Sequence, residues 1–401
     1  MAELTEASRA SRIHISFFGK RNAGKSSLVN AITGQEISIV SDVKGTTTDP
    51  VHKSMEILPL GPVEIIDTPG IDDEGSLGEM RIKKTKQILV KTDVAILVVD
   101  ATIGMTKVDN DLVDEFKKSN INYIIAYTKS DLLDTKPKLK DNEILVSSIN
   151  NENINELKEK IGKLNIESVR DISLTKDFVK KNDVVLLVMP QDGSAPKGRI
   201  ILPQVQMIRD LLDNNTIIVS TQLTELDTAL KKLNKKPDLI ITDSQVFKEV
   251  EQIIPADATL TSFSILLANY NGLLNDAVIG ASYIDSIKPS DRVLIVEGCT
   301  HHRQCEDIGT VKIPNLLKKR LGFDILFDTN SGANLRDNIE DYKMIIHCGA
   351  CMLTNKEVKY RMEVAKGKNI PITNYGILIA YLNGILKRSL KLFPDLQKLI
   401  K

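Results

Sequence analysis

The octapeptide Gly19-Lys20-Arg21-Asn22-Ala23-Gly24-Lys25-Ser26 constrains the fold more than any other stretch of the chain. Before it, IHISFF at residues 13–18 alternates as a strand does. After it, SLVNAITG is a helical run that stops at Gly34. Strand, glycine loop and helix in that order aim backbone N–H groups and a helix N-terminus at one point, where negative charge is favoured. The spacing therefore predicts a phosphate cradle lined by Arg21, Asn22, Ala23, Gly24, Lys25, Ser26 and Ser27. Lys25 is expected to reach the β- and γ-phosphates and the Ser26 hydroxyl to ligate Mg2+.

Further boxes follow in order, each at the end of a strand. VEIIDTPG at residues 63–70 places Asp67 to hold Mg2+ through water, and Gly70 to sense the γ-phosphate through its N–H. VAILVVD at 94–100 is a second buried strand. NYIIAYTKSD ends in Thr128-Lys129-Ser130-Asp131. A carboxylate there accepts two hydrogen bonds from the N1 and N2 positions of guanine, which adenine cannot supply, so Asp131 selects GTP over ATP. EILVSSI ends in Ser147 and Ser148, beside the guanine O6 position.

With these boxes in place, roughly the first 165 residues resemble the TrmE–Era GTPases. That resemblance implies slow GTP hydrolysis. Thr128 stands where those relatives carry asparagine, and Ile71 stands where Ras-type enzymes carry a water-orienting glutamine. Relatives without that glutamine use K+, held by a phosphate-loop asparagine, the position Asn22 occupies. Asp42 to Asp49 resembles their first switch, with Thr46 reaching K+ and Thr47 reaching Mg2+ and nucleotide. Asp72 to Arg81, acidic and directly after the DTPG box, reads as a second switch.

A charged stretch at 165–180 reads as a linker after a helix capped by Asn153 and Glu156. Beyond it, strands such as DVVLLVMP, TIIVS, DLIITD, RVLIVEG, FDILFD and KMIIHC alternate with amphipathic helices. Alternation of this kind means βαβ units and parallel sheets. The expected fold class is α/β: three α/β domains with mostly parallel sheets, over residues 1–170, 171–264 and 265–401.

With 53 basic and 53 acidic residues the chain has no net charge and no basic stripe, which argues against nucleic acid. MAELTEASRASR lacks an apolar leader core, and GILIAYLNGIL is too short to span a bilayer, so no membrane is expected and a cytoplasmic setting is. In that setting four cysteines confined to the last quarter read as metal ligands or redox groups, not disulfides. Cys299 and Cys348 each end a predicted strand, where open α/β sheets build sites, so they can converge. Three readings are open at this point. One is tetrahedral zinc on Cys299, Cys348 and Cys351 with His301, His347 or Cys305. Another is a redox pair, Cys348 and Cys351. The third is an iron–sulfur cluster on three thiolates, with a replaceable ligand from His301, His302, Glu306, His347 or Cys305.

A GTPase of this subtype, a second α/β region, Cys299-x-His301 and His347-Cys348-x-x-Cys351 together resemble the HydF family of [FeFe]-hydrogenase maturation GTPases, over nearly the whole chain. The resemblance implies a [4Fe–4S] cluster on Cys299, Cys348 and Cys351, with Cys305 outside the pattern. It also implies a dimerisation domain in the middle, and a transient di-iron precursor received from radical-SAM maturases and delivered to apo-[FeFe]-hydrogenase. A ribosome- or RNA-associated GTPase with a structural zinc domain is the alternative.

Overall fold

A computed structural model describes residues 12–34, 51–70, 87–164, 173–191, 200–298, 307–332, 335–336, 338–350 and 353–400. The chain forms two compact units, Glu6–Asp171 and one that takes in Ile172–Lys401. Both switch stretches with Thr46 and Thr47, and Cys299, His301, His302, Cys305, Glu306 and Cys351, lie outside the described residues.

The first unit is built on a six-stranded sheet in the order β2-β3-β1-β4-β5-β6. Its strands are β1 (Ile13–Phe18), β2 (Val51–Ile57), β3 (Gly61–Asp67), β4 (Val94–Asp100), β5 (Asn122–Thr128) and β6 (Glu143–Leu145). All pairings are parallel except β2 with β3. Every residue of β1 and β4 is buried, as expected of strands covered on both faces. One face packs Ile15, Phe17 and Val98 against the helix Lys25–Thr33 (α1), and the other packs Phe18, Leu97 and Phe116. Each fully buried aliphatic or aromatic side chain stabilises the fold by about 1.5–3 kcal/mol, so these two layers fix where the strand ends lie. The carboxyl ends of β1, β3, β4 and β5 bring the predicted boxes to one edge. β2 was not legible: VHKSMEI has little apolar content, and its outer face is exposed at the sheet edge. The cap expected at Asn153 is not formed. Asn153 adopts a left-handed backbone (φ 58°), and its amide donates to the Leu145 carbonyl at 2.9 Å instead of closing the helix Ile154–Lys163.

The second unit carries two four-stranded parallel sheets. The first runs β10-β9-β7-β8, from β7 (Val184–Val188), β8 (Ile217–Thr221), β9 (Leu239–Thr242) and β10 (Leu260–Ser262). The second runs β12-β11-β13-β14, from β11 (Arg292–Glu297), β12 (Leu326–Ser331), β13 (Met344–His347) and β14 (Ile372–Asn374). The architecture is thus α/β with mostly parallel sheets, a phosphate-loop unit followed by further α/β structure. Helices from the chain end return to the first sheet: Ile377, Ala380, Ile385 and Leu386 share a core with Leu186, Ile240 and Leu260. Two expectations shift. The linker is shorter than 165–180, because Leu174 and Val179 are buried and Asp210 accepts hydrogen bonds from the Leu174 and Thr175 backbone. The strand expected over FDILFD begins three residues later, at Leu326, since Phe323 and Ile325 turn into the core beneath the sheet. Among the described residues no helix is long and apolar enough to cross a membrane.

Candidate functional site

The loop between β1 and α1 is wound around its own lysine. Lys25 is buried, and its ammonium donates to the carbonyls of Gly19 at 3.0 Å and Lys20 at 2.7 Å, which holds the charge at the centre of the cradle. Asn22 (φ 60°) and Gly24 (φ 87°) take left-handed backbone conformations that turn the loop into the helix. Ala23 is buried in the core, Arg21 and Ser27 are half-buried, and Asn22 is exposed on the crown of the loop. The two residues expected at Mg2+ meet: the Ser26 hydroxyl donates to Asp67 Oδ2 at 2.8 Å. Gly70 closes the site. A Cβ there would stand 2.9 Å from Arg21 Cα, so only a residue without a side chain lets the DTPG turn lie against the phosphate loop.

The base-reading loops converge on the same edge. Lys129 is left-handed (φ 58°) and its ammonium meets Asp100 Oδ2 at 2.5 Å. Burial pushes the Asp100 carboxyl up, but the Lys129 ammonium and the Thr102 donors outweigh it and hold it below its ordinary value. Asp131 is exposed at the start of the next turn, open to a base edge. Ser147 is buried and Ser148 half-buried, and the Ser147 hydroxyl accepts from Asn150 N–H at 3.2 Å. Thr128 does something its position in the motif does not announce. It is 2% exposed, and its hydroxyl donates to the Ala23 carbonyl at 2.6 Å and lies 3.1 Å from the Val99 carbonyl. It clamps the phosphate loop to the sheet instead of presenting itself to a base. Glu152, missed in the sequence, ties the two base loops together. Its carboxylate accepts from Ser130 at 2.9 Å, and its backbone pairs both ways with Ser147.

In the second unit the carboxyl edge of β11 and β13 carries the other site. Cys348 follows β13, and its N–H donates to the Val296 carbonyl at 2.8 Å, continuing the ladder. Its sulfur accepts backbone N–H groups from Gly298 at 3.1 Å and Ala350 at 3.4 Å. Ala350 is left-handed (φ 56°), which aims its N–H back at the sulfur. Two N–H donors converging on one sulfur favour the thiolate, the form that binds metal. Among the described residues no three His, Cys, Asp or Glu side chains gather as a metal site, and Cys348 is the one cysteine they include. The described part nonetheless fits a thiolate-held group: a strand-end sulfur, donors aimed at it, and a cavity of ≈ 120 Å³ whose wall includes Cys348, Gly349 and Ala350. The helix Phe263–Tyr270 also lines the cavity, and the polar residues in its wall include Asp243, Ser264, Asn271 and Thr373.

His347 sits differently from a ligand. Both ring nitrogens are engaged: Nδ1 lies 2.8 Å from the Cys348 carbonyl and Nε2 lies 2.8 Å from an Arg361 guanidinium nitrogen. Burial and the Arg361 charge pull its pKa down to about 4, so the ring is neutral, with Nδ1–H donating and Nε2 accepting. Arg361 was missed as well. Its signal was legible: it shares a helical face with Val358, Met362 and Ala365, at spacings where an apolar residue is expected. Glu297 is buried beside this edge and accepts from Ser331 at 3.1 Å.

Comparison with known proteins sorts these two sites. Residues 14–129 match the family described as 50S ribosome-binding GTPase. Residues 174–272 match the hydrogen maturase F dimerization domain, and residues 275–392 match the hydrogen maturase F tetramerization domain. The chain belongs to the hydrogen maturase F family. Curated proteins similar to part of the chain are GTPases. GTPase Der of Wolinella succinogenes is 35% identical over 179 residues, 40% of this chain and 38% of that protein. The tRNA modification GTPase MnmE of Lactococcus lactis subsp. cremoris is 32% identical over 194 residues, 43% of this chain and 42% of that protein. The chain thus spans about two fifths of the length of these relatives. Among solved structures, Era in complex with MgGDPNP and a 16S ribosomal RNA segment is 20% identical, covering 52% of this chain and 91% of that one, with a TM-score of 0.34. The G domain of the T. maritima FeoB iron transporter is 25% identical, covering 37% of this chain and 96% of that one, with a TM-score of 0.30.

Proposed function

We propose that this chain is a GTP-hydrolysing scaffold and carrier in [FeFe]-hydrogenase maturation. In this reading it holds a [4Fe–4S] cluster, receives a di-iron precursor from radical-SAM maturases and delivers it to the apo-hydrogenase. The observation that carries it is the meeting of two matches: hydrogen maturase F domains over residues 174–272 and 275–392, and a strand-end sulfur, Cys348, with two backbone donors on it at the wall of a cavity.

In the GTPase unit, Lys25 and the loop N–H groups hold the phosphates, Ser26 and Asp67 hold Mg2+ with Thr47, and Asp131 reads the base while Lys129 and Ser148 flank it. Asn22 and Thr46 are assigned to K+; the exposed amide on the crown of the loop is free to turn toward a phosphate-bound cation. Hydrolysis is slow and switches contacts with partners. It drives no chemistry on iron.

In the second unit, Cys299, Cys348 and Cys351 are assigned as the cluster thiolates. When bound, the cluster supplies an iron with an exchangeable position where the di-iron cargo docks. The protein's own part is to orient the Cys348 sulfur through Gly298 and Ala350 N–H, and to keep one side of it apolar. With both ring nitrogens engaged, His347 is assigned to positioning, which leaves His301, His302 and Glu306 for the exchangeable place. A three-part division is proposed, with the second boundary between residues 272 and 275, because 264/265 falls inside the helix Phe263–Tyr270. The dimerization and tetramerization domain matches support a homo-oligomer, a dimer through the middle region at the least.

The test is transfer. The reconstituted chain, incubated with precursor-making maturases, reisolated and mixed with apo-hydrogenase, is expected to switch on hydrogen evolution. A chain that retains tightly bound zinc, takes up no iron and confers no activity contradicts the reading and favours a zinc-domain GTPase. GTP turnover is expected to be faster in potassium than in sodium, and equal rates remove Asn22 and Thr46 from the cation site.

A further inference from the structure

Arg361 heads the fully buried side chains of the described residues by size, at 1% exposure. The helix Asn355–Gly367 projects Val358, Arg361, Met362 and Ala365 inward, and the three apolar members join the cores behind β11 and β13. The fourth is a guanidinium. Its two bonded nitrogens reach His347 Nε2 at 2.8 Å and the Gly332 carbonyl at 2.5 Å, both neutral acceptors, and its Nε has no hydrogen-bond partner among the described residues. No carboxylate among the described residues forms an ion pair with it; Glu357, one turn back, accepts from Thr354 in a helix cap. Withdrawing a cation from water costs several kcal/mol, and neutral acceptors do not return it. A buried guanidinium is therefore stable only where negative charge stands near. Two negative groups stand near it: the Glu357 carboxylate, already committed to the helix cap, and the site at Cys348, one residue beyond His347, whose sulfur collects two N–H donors.

We propose that Arg361 is the built-in counter-cation of the Cys348 site. It offsets the negative charge of a thiolate-held anionic group and, through His347, fixes the carbonyl of the ligating residue. Arg361 is a positioning residue that touches no reacting atom. The proposal rests on the reading of Cys348 as a cluster thiolate. Its consequence is electrostatic. Reduction adds negative charge to the bound group, so a fixed positive charge beside it favours the reduced form.

The experiment uses the full chain, anaerobically reconstituted with iron and sulfide, as wild type, Arg361→Met, Arg361→Gln and Arg361→Lys. Iron content, the thermal melt of each variant and the midpoint potential from an EPR-monitored redox titration are measured. Arg361→Met and Arg361→Gln are expected to favour the oxidised form at least tenfold, a downward shift of about 59 mV for a one-electron couple. Arg361→Lys, which keeps the charge, is expected to recover most of the shift. An unchanged potential in the neutral variants with the cluster retained overturns the proposal. So does a lysine variant shifted as far as the neutral ones, because packing and not charge is then responsible. If methionine prevents a cooperative melt, the Gln and Lys pair alone decides. A wild-type chain that takes up no iron overturns the parent cluster reading, an outcome distinct from a cluster that ignores Arg361.

Discussion

Thr128→Val separates two jobs that sit on one loop. The substitution keeps the shape of a side chain that is 2% exposed and removes only its hydroxyl. The hydroxyl has one proton, and the 2.6 Å contact to the Ala23 carbonyl is the shorter of its two, so that bond is lost first. A hydrogen bond of this kind contributes about 1 kcal/mol net, and an acceptor left buried without a donor raises the loss to about 1–2 kcal/mol. Since Ala23 belongs to the phosphate cradle, the loss falls on phosphate binding, roughly 5–30-fold in affinity. Titration calorimetry with GTP, GDP and ATP resolves it. GTP and GDP are expected to weaken together while the preference for GTP over ATP stays within about threefold of wild type. If guanine preference collapses while the affinity for phosphates holds, the hydroxyl reads the base and the clamp is wrong.

Three further outcomes follow from the same geometry. Asp100 is held below its ordinary value by Lys129 and Thr102, so its bond contributes fully above the unfolded carboxyl value near pH 4 and is lost as pH falls through the lower folded value. The stability gap between wild type and Asp100→Asn in urea titrations is expected to be constant above about pH 5 and to shrink below about pH 4; a gap independent of pH refutes the pairing. Gly280→Ala places a methyl 2.1 Å from the Ile372 carbonyl, on the helix that covers β14, so the second unit is expected to lose about 1–3 kcal/mol, read as a lowered midpoint of its thermal transition. An unaltered midpoint shows that the helix moves away at no cost. Glu152→Ala unties Ser130 from Ser147 and is expected to weaken GTP several-fold, and ATP no more than GTP, in the same calorimetric assay.

What was legible in the sequence follows from how local each signal is. The phosphate loop and its strand read correctly because β1 and β4 are apolar from end to end, and because a glycine loop followed by a helix leaves few alternatives. The α/β class was legible from alternation alone. The edge strand Val51–Ile57 was not, since an exposed edge needs no apolar run. The strand Leu326–Ser331 was placed three residues early because Phe323 and Ile325 look like strand residues, whereas burial beneath the sheet claims them. The site residues divide the same way. Ser26 and Asp67 are 41 positions apart and were brought together by motif. The clamp made by Thr128 is not legible in its motif because its partner, Ala23, lies 105 residues away. The place of Arg361 on an apolar helix face is legible, but its contact with His347 depends on packing that helix on a strand end, a relation no spacing in the chain encodes.

The central claim is that Cys299, Cys348 and Cys351 hold a [4Fe–4S] cluster that leaves one iron exchangeable. Anaerobic reconstitution followed by EPR of the reduced protein, with and without added imidazole, tests it on wild type and on the four single Cys→Ala variants. The account predicts a cluster signal in wild type and in Cys305→Ala, shifted by imidazole in both, and its loss in Cys299→Ala, Cys348→Ala and Cys351→Ala. Loss in all four variants, with a wild-type signal indifferent to imidazole, means four-cysteine ligation and no open position, and contradicts the account.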